Sequence, residues 1–166
     1  MRKLSLFVVA AWVVLAPSAA APARAAGDWS WPVVGPVIQG FDPPDTPFGS
    51  GHRGIDIAVA PGSPVRAPAA GIVTFAGPVG GRLFLTIDHG ASLESTYSWL
   101  DAVIARRGDT IEKGQVIGRS GTGHPGAVVT HLHFGVRLLD AYVDPLDYLA
   151  SIEVWRFIRL APLHPS

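Results

Sequence analysis

Apolar and polar residues alternate in short runs along most of the chain. Ile55, Ile57 and Val59 alternate ahead of Pro61-Gly62, Pro64 to Ala67 forms a brief run, and Gly71 to Ala76 is closed by Gly77-Pro78. Leu83, Leu85 and Ile87 alternate through Arg82 to Asp88, with His89-Gly90 as the stop, and Glu94 to Leu100 makes another run. Thr110 to Glu112 and Gln115 to Arg119 flank Lys113-Gly114, which predicts a hairpin-like turn. Last, Leu132, Phe134, Val136 and Leu138 alternate with His131, His133, Gly135 and Arg137. A period of two bounded by turn residues marks half-buried strands. No window of ten or more residues carries a helical period before Leu146, so the pattern predicts an all-β domain.

The two ends depart from this pattern. Met1-Arg2-Lys3 is a short basic start, Leu4 to Ala16 carries no charge, and Pro17 to Ala26 is built of small residues and Pro apart from Arg24. That is the layout of a secretory signal peptide over residues 1–25, with Ala23-Arg24-Ala25 as the cleavage motif and Ala19-Ala20-Ala21 as its rival. The apolar run is shorter than the roughly 18 residues of a spanning helix, so cleavage is expected rather than retention as an anchor, with no membrane contact in the mature form. Residues 26–47, rich in Pro, Gly and Trp, read as an extended lead-in holding one edge strand, where Pro is tolerated. The β-core follows over 48–149. Residues 150–166 form a tail whose Trp155, Phe157 and Ile158 need cover, either by the core or by a partner at the envelope.

Composition narrows the classes. The 166 residues hold 13 basic and 13 acidic side chains, 48% hydrophobic residues and no Cys. The balance argues against nucleic acid as a partner, since such proteins carry a basic excess. Without Cys there are no disulfides, thiolate metal sites, cysteine nucleophiles or lipidated N-terminal cysteine. Removing Arg2, Lys3 and Arg24 with the signal leaves ten basic against thirteen acidic residues, a net charge of −3. An exported domain without disulfides depends on its core, or on a metal.

Two clusters carry chemistry. Gly51-His52-Arg53-Gly54-Ile55-Asp56 sets a His and an Asp four residues apart, and His131-Leu132-His133-Phe134 sets two His at i and i+2. Alternate residues of a strand share a face, so His131 and His133 project together while Leu132 and Phe134 face the core. Asp56, between Ile55 and Ile57, also leaves the core face. Imidazoles and a carboxylate gathered on one face suit zinc, which in catalytic sites takes three protein ligands and keeps one position open. Two His and one Asp would complete such a set and leave one His for proton transfer.

The same clusters carry a family resemblance. His52-Arg53-Gly54-Ile55-Asp56, Pro64-Val65-Arg66-Ala67-Pro68, Gly71-Ile72-Val73, Asp88-His89-Gly90, Gly108-Asp109, Lys113-Gly114-Gln115, Ile117-Gly118 and His131-Leu132-His133-Phe134 resemble, in order, the lysostaphin/LytM-type zinc metallopeptidases. The resemblance runs from about Trp31 to Tyr148. It implies a compact antiparallel β-sheet core with short loops forming a groove, one zinc ion per chain, and hydrolysis of peptide bonds in bacterial peptidoglycan. It also implies His52, Asp56 and His133 as ligands and His131 as the catalytic histidine.

One position departs. Where the family has Tyr-x-His-Leu, with a second catalytic histidine, this chain reads Tyr97-Ser98-Trp99-Leu100. An indole donates one N–H, accepts nothing and does not titrate, and loss of a general acid or base costs typically about 10²- to 10⁴-fold. Trp99 can instead donate to a developing oxyanion or narrow the groove. Two readings therefore stand: an exported zinc endopeptidase, and a weak or inactive member that binds cell wall or regulates other cell-wall hydrolases. Tyr97, Trp99, Arg53 and His124, the last in the loop Gly121-Thr122-Gly123-His124-Pro125-Gly126, are the groove candidates. His89 reads as structural and His164 as tail.

Overall fold

The computed structural model describes residues 27–46 and 49–151. The signal-peptide expectation and the tail's aromatic residues lie outside them. Ten strands follow in chain order: β1 (Val37–Gln39), β2 (Ile55–Ala58), β3 (Pro64–Arg66), β4 (Gly71–Val79) and β5 (Arg82–Asp88); then β6 (Leu93–Val103), β7 (Thr110–Ile111), β8 (Val116–Ser120), β9 (His131–Leu138) and β10 (Ala141–Val143). A 3-10 turn, Pro145–Asp147, closes the described chain. The fold is all-β, as the alternation predicts, and every strand pairing is antiparallel. No helix among the described residues is long and apolar enough to cross a membrane.

The main sheet runs β1-β2-β9-β6-β5-β4-β7, with β10 on β9 and the β3–β8 pair joined through β6. Its core face is Ile55, Ile57, Leu85, Ile87, Tyr97, Leu132, Phe134 and Val136, each fully buried. Burying one such aliphatic or aromatic side chain stabilises by about 1.5–3 kcal/mol, so the alternation that reads as strands also drives the sheet to close on this face. Leu138, expected in the same row, emerges at the strand end and is 36% exposed.

Three expectations shift. Lys113-Gly114 is a turn but not a hairpin: β7 pairs with β4 and β8 with β3 and β6, so the flanking runs diverge. Gly77-Pro78 does not end β4, which pairs with β5 through Val79. Beyond Ile72 that strand has no β7 partner, and an edge position asks no N–H of Pro78. The lead-in does hold edge strand β1, yet it also sends Trp29 and Val33 into the core. Trp29 packs on His89, which hydrogen-bonds the Ala70 carbonyl and Ser95 Oγ. His89 is thus structural, as its position suggests.

Candidate metal centre

The register of β2 on β9 builds the site. Ile55 pairs with Phe134, Asp56 with His133, Ile57 with Leu132 and Ala58 with His131. Side chains of directly opposed residues stand about 4.5–5.5 Å apart at Cβ, so one register sends four apolar side chains to the core and Asp56, His131 and His133 to the other face. Asp56 leaves the core face as expected but not for solvent: it is 1% exposed.

His52 comes from the loop ahead of β2. Its backbone exchanges hydrogen bonds with Asp42, His52 N–H donating to Asp42 O at 2.6 Å and Asp42 N–H to His52 O at 3.0 Å. Its Nδ1–H donates to Gly40 O at 2.7 Å, which leaves Nε2 as a lone pair. That lone pair lies 3.1 Å from Asp56 Oδ1 and 3.1 Å from His133 Nδ1, and His133 Nδ1 lies 2.8 Å from the same oxygen. Two imidazole nitrogens and a carboxylate oxygen thus converge on one point, an N₂O donor set that fits zinc. The carbonyl behind His52 is the outer partner that fixes a metal-binding imidazole's tautomer. Gly54 makes the approach possible, because a Cβ there would stand 2.4 Å from Phe134 O and 3.0 Å from His133 Nε2.

Asp56 is surrounded by imidazoles. Burial pushes its pKa up, but the hydrogen bond from His133 and the charges of His133, His52 and His131 outweigh it, so the carboxyl titrates below its ordinary value. The site holds an ionised ligand ready.

His131 is also buried, at 1% exposure. Its Nδ1–H donates to Val129 O at 2.9 Å, and Nε2 faces Asp56 Oδ2 at 3.5 Å. Ring and carboxylate are therefore held with an acceptor nitrogen turned toward Asp56, an orientation that suits proton transfer. His124 reaches the same oxygen, its Nε2 3.8 Å away, and its ring lies 4.8 Å from that of His131.

Trp99 reaches the same face by a bulge. Leu83 pairs with Leu100 and Leu85 with Tyr97, so Ser98 and Trp99 together oppose Phe84. Such two-against-one positions re-aim a side chain. Trp99 sits at φ 63°, a left-handed conformation that costs a bulky residue about 1–3 kcal/mol. Gly121 N–H donates to Trp99 O at 3.1 Å and secures it. Phe84 alternates with core residue Leu85, so the Trp99 and Phe84 rings, 5.8 Å apart, form an aromatic wall on the face that carries Asp56.

Tyr97 does not join that wall. It pairs with Phe134 on the core face, is fully buried, and shares a 2.9 Å hydrogen bond with Ser95 Oγ. Its place in the alternation decides this: it shares the buried face with Ser95, while its neighbour Ser98 pairs with His133 on the site face. Arg53 lies outside the metal cluster, its Nη2 donating to Gly49 O at 3.2 Å, and borders a cleft with Pro43, Pro44 and Tyr142. Sequence reading did not single out Phe84, nor the carbonyls of Gly40 and Val129 that set the tautomers. Backbone carbonyls carry no residue signature.

The model of peptidase family M23 matches residues 50–145. The uncharacterised protein Rv2891 of Mycobacterium tuberculosis is 38% identical over 152 residues, 87% of this chain and 59% of that protein. The murein hydrolase activator NlpD of Salmonella dublin is 34% identical over 123 residues, 73% of this chain and 31% of that protein. The chain thus spans about a third to three-fifths of these relatives' lengths. Among solved structures, a zinc-containing peptidase from Vibrio cholerae superposes with TM-score 0.63 at 28% identity, over 77% of this chain and 41% of its own. Lysostaphin from Staphylococcus simulans gives TM-score 0.63 at 26% identity, over 76% of this chain and 55% of its own.

Proposed function

Since the chain belongs to peptidase family M23, we propose that it is an exported zinc metalloendopeptidase that hydrolyses peptide bonds of bacterial cell-wall peptidoglycan. The observation that carries this reading is the convergence of His52 Nε2, His133 Nδ1 and Asp56 Oδ1 within 3.1 Å, beside an acceptor nitrogen of His131. Similarity to a zinc-containing peptidase and to lysostaphin supports it.

His52, Asp56 and His133 would hold the ion, one per chain. Zinc there supplies a Lewis acid that polarises a carbonyl and acidifies water toward neutral pH. Nε2 of His131, freed as an acceptor by the Val129 carbonyl, takes up a proton and returns it to the leaving amine. Trp99 moves no proton; its indole N–H is a donor for negative charge and its ring closes one side of the groove with Phe84. The signal layout of residues 1–25 would deliver the domain outside the cytoplasm.

A second reading rests on Trp99. A tryptophan in place of the family's second catalytic histidine, with 34% identity to an activator of murein hydrolases, favours a regulator that docks on cell wall or on partner hydrolases. The two separate in one assay. The zinc-loaded protein is incubated with isolated peptidoglycan, and soluble fragments are followed by mass spectrometry. New peptide termini support the enzyme; intact peptidoglycan with zinc bound supports the regulator.

A further inference from the structure

We propose that His124, His131 and the second carboxylate oxygen of Asp56 form a second divalent-cation site, bridged to the first through Asp56. The two oxygens of Asp56 face different partners. Oδ1 lies 2.8 Å from His133 Nδ1 and 3.1 Å from His52 Nε2, while Oδ2 lies 3.5 Å from His131 Nε2 and 3.8 Å from His124 Nε2. The three donor atoms of the second group all lie within 4.8 Å of one another.

The tautomers make this a ligand set. Nδ1–H of His131 donates to Val129 O at 2.9 Å, and Nδ1–H of His124 donates to Pro125 O at 3.2 Å. A carbonyl only accepts, so both protons sit on Nδ1 and both Nε2 atoms present lone pairs. A histidine whose other ring nitrogen donates to a backbone carbonyl is arranged as metal-bound histidines are. Two Nε2 acceptors and an ionised oxygen then face one another; His131 Nε2 accepts a long hydrogen bond, 3.5 Å, from the His124 backbone N–H, which a cation would displace. A cation satisfies all three. Two imidazoles with one carboxylate suit zinc or a similar borderline ion rather than magnesium or calcium. A carboxylate that bridges is also how two-metal sites hold ions about 3.5–4 Å apart.

The loop is shaped for this position. Gly123 has φ +89°, and a Cβ there would fall 2.4–2.7 Å from three atoms of the His131 ring. Only glycine lets the loop lie on that ring and bring His124 over Asp56. The His124 side chain is 40% exposed, against 11% for His52 and 16% for His133, so the second site opens to solvent and binds more weakly than the first.

The functional consequence rests on the peptidase reading. An ion on His131 Nε2 occupies the lone pair that proton transfer needs, so a second equivalent of zinc suppresses hydrolysis, by about 10²-fold or more if that base is lost outright.

The test is zinc stoichiometry. The full chain, stripped with a chelator, is titrated with zinc against a chromophoric competitor. Wild type takes up two equivalents, the second weaker, whereas His124→Ala and His131→Ala each lose the weak equivalent and keep the tight one. Saturation of wild type at one equivalent, or two retained in His124→Ala, overturns the second site. Failure to cut peptidoglycan at one equivalent would overturn the peptidase reading and leave this stoichiometry standing.

Discussion

Asp56 and His133 are direct partners across β2 and β9, and Asp56 Oδ1 lies 2.8 Å from His133 Nδ1. The pairing belongs to the same register that buries Ile57 against Leu132, so the hydrophobic core and the candidate metal centre are set by one alignment of two strands. A slip of one residue would turn the apolar side chains outward and the ligands inward. The site is therefore as well specified as the core.

Asp56 should be the least replaceable ligand. Asp56→Asn keeps the shape but removes the charge at the centre of four imidazoles. Zinc affinity is expected to fall by more than about 100-fold, the upper end for loss of an outer-shell partner. Competition with a chelator measures it, and retention of wild-type affinity would place the ion elsewhere.

Gly54→Ala tests the approach of the His52 loop to β9. Its Cβ would meet Phe134 O at 2.4 Å and His133 Nε2 at 3.0 Å. Backbone cannot yield cheaply, so the variant is expected to lose about 1–3 kcal/mol of stability and to bind zinc more weakly. Urea unfolding with and without zinc reads both.

Trp99→His should restore the proton carrier missing from the aromatic wall. Because Trp99 already lies on the face of Asp56, hydrolysis of peptidoglycan is expected to rise about 10²-fold or more, within the range assigned to a general acid or base. An unchanged rate would mean that chemistry is not limited at this position.

Tyr97 sets an alkaline limit. Burial pushes its hydroxyl well above the ordinary tyrosine value, against the lowering effect of the Ser95 hydrogen bond. Above about pH 10 the unfolded chain releases this proton and the folded chain keeps it. This group's contribution to stability is therefore full well below pH 10 and falls as pH rises, by up to about 1.4 kcal/mol per unit. Between pH 10 and 11, wild type should lose stability more steeply than Tyr97→Phe; parallel curves would contradict the burial.

Much of this was legible in the chain. Ile55 and Ile57 around Asp56, and Leu132 and Phe134 around His133, announce both strands and both faces, because a pleated strand with one buried side must alternate. Tyr97 was not legible in this way. Next to the unusual Trp99 it reads as groove, but the bulge at Ser98 and Trp99 breaks the alternation after Tyr97 and leaves it on the core face. The bulge has no residue signature, since a tryptophan at φ 63° runs against local preference. Trp29 was hidden too: its burial depends on the distant partners Tyr148 and Pro68, which receive the N–H groups of Trp29 and Ser30.

The chemistry proposed for this candidate metal centre is cleavage of peptide bonds in peptidoglycan. The most direct measurement compares wild type with His131→Ala at matched occupancy of one zinc per chain, following soluble peptide fragments released from isolated peptidoglycan. Fragments from wild type, reduced about 10²-fold or more in the variant, are the predicted result. Intact peptidoglycan with wild type at full occupancy would contradict it.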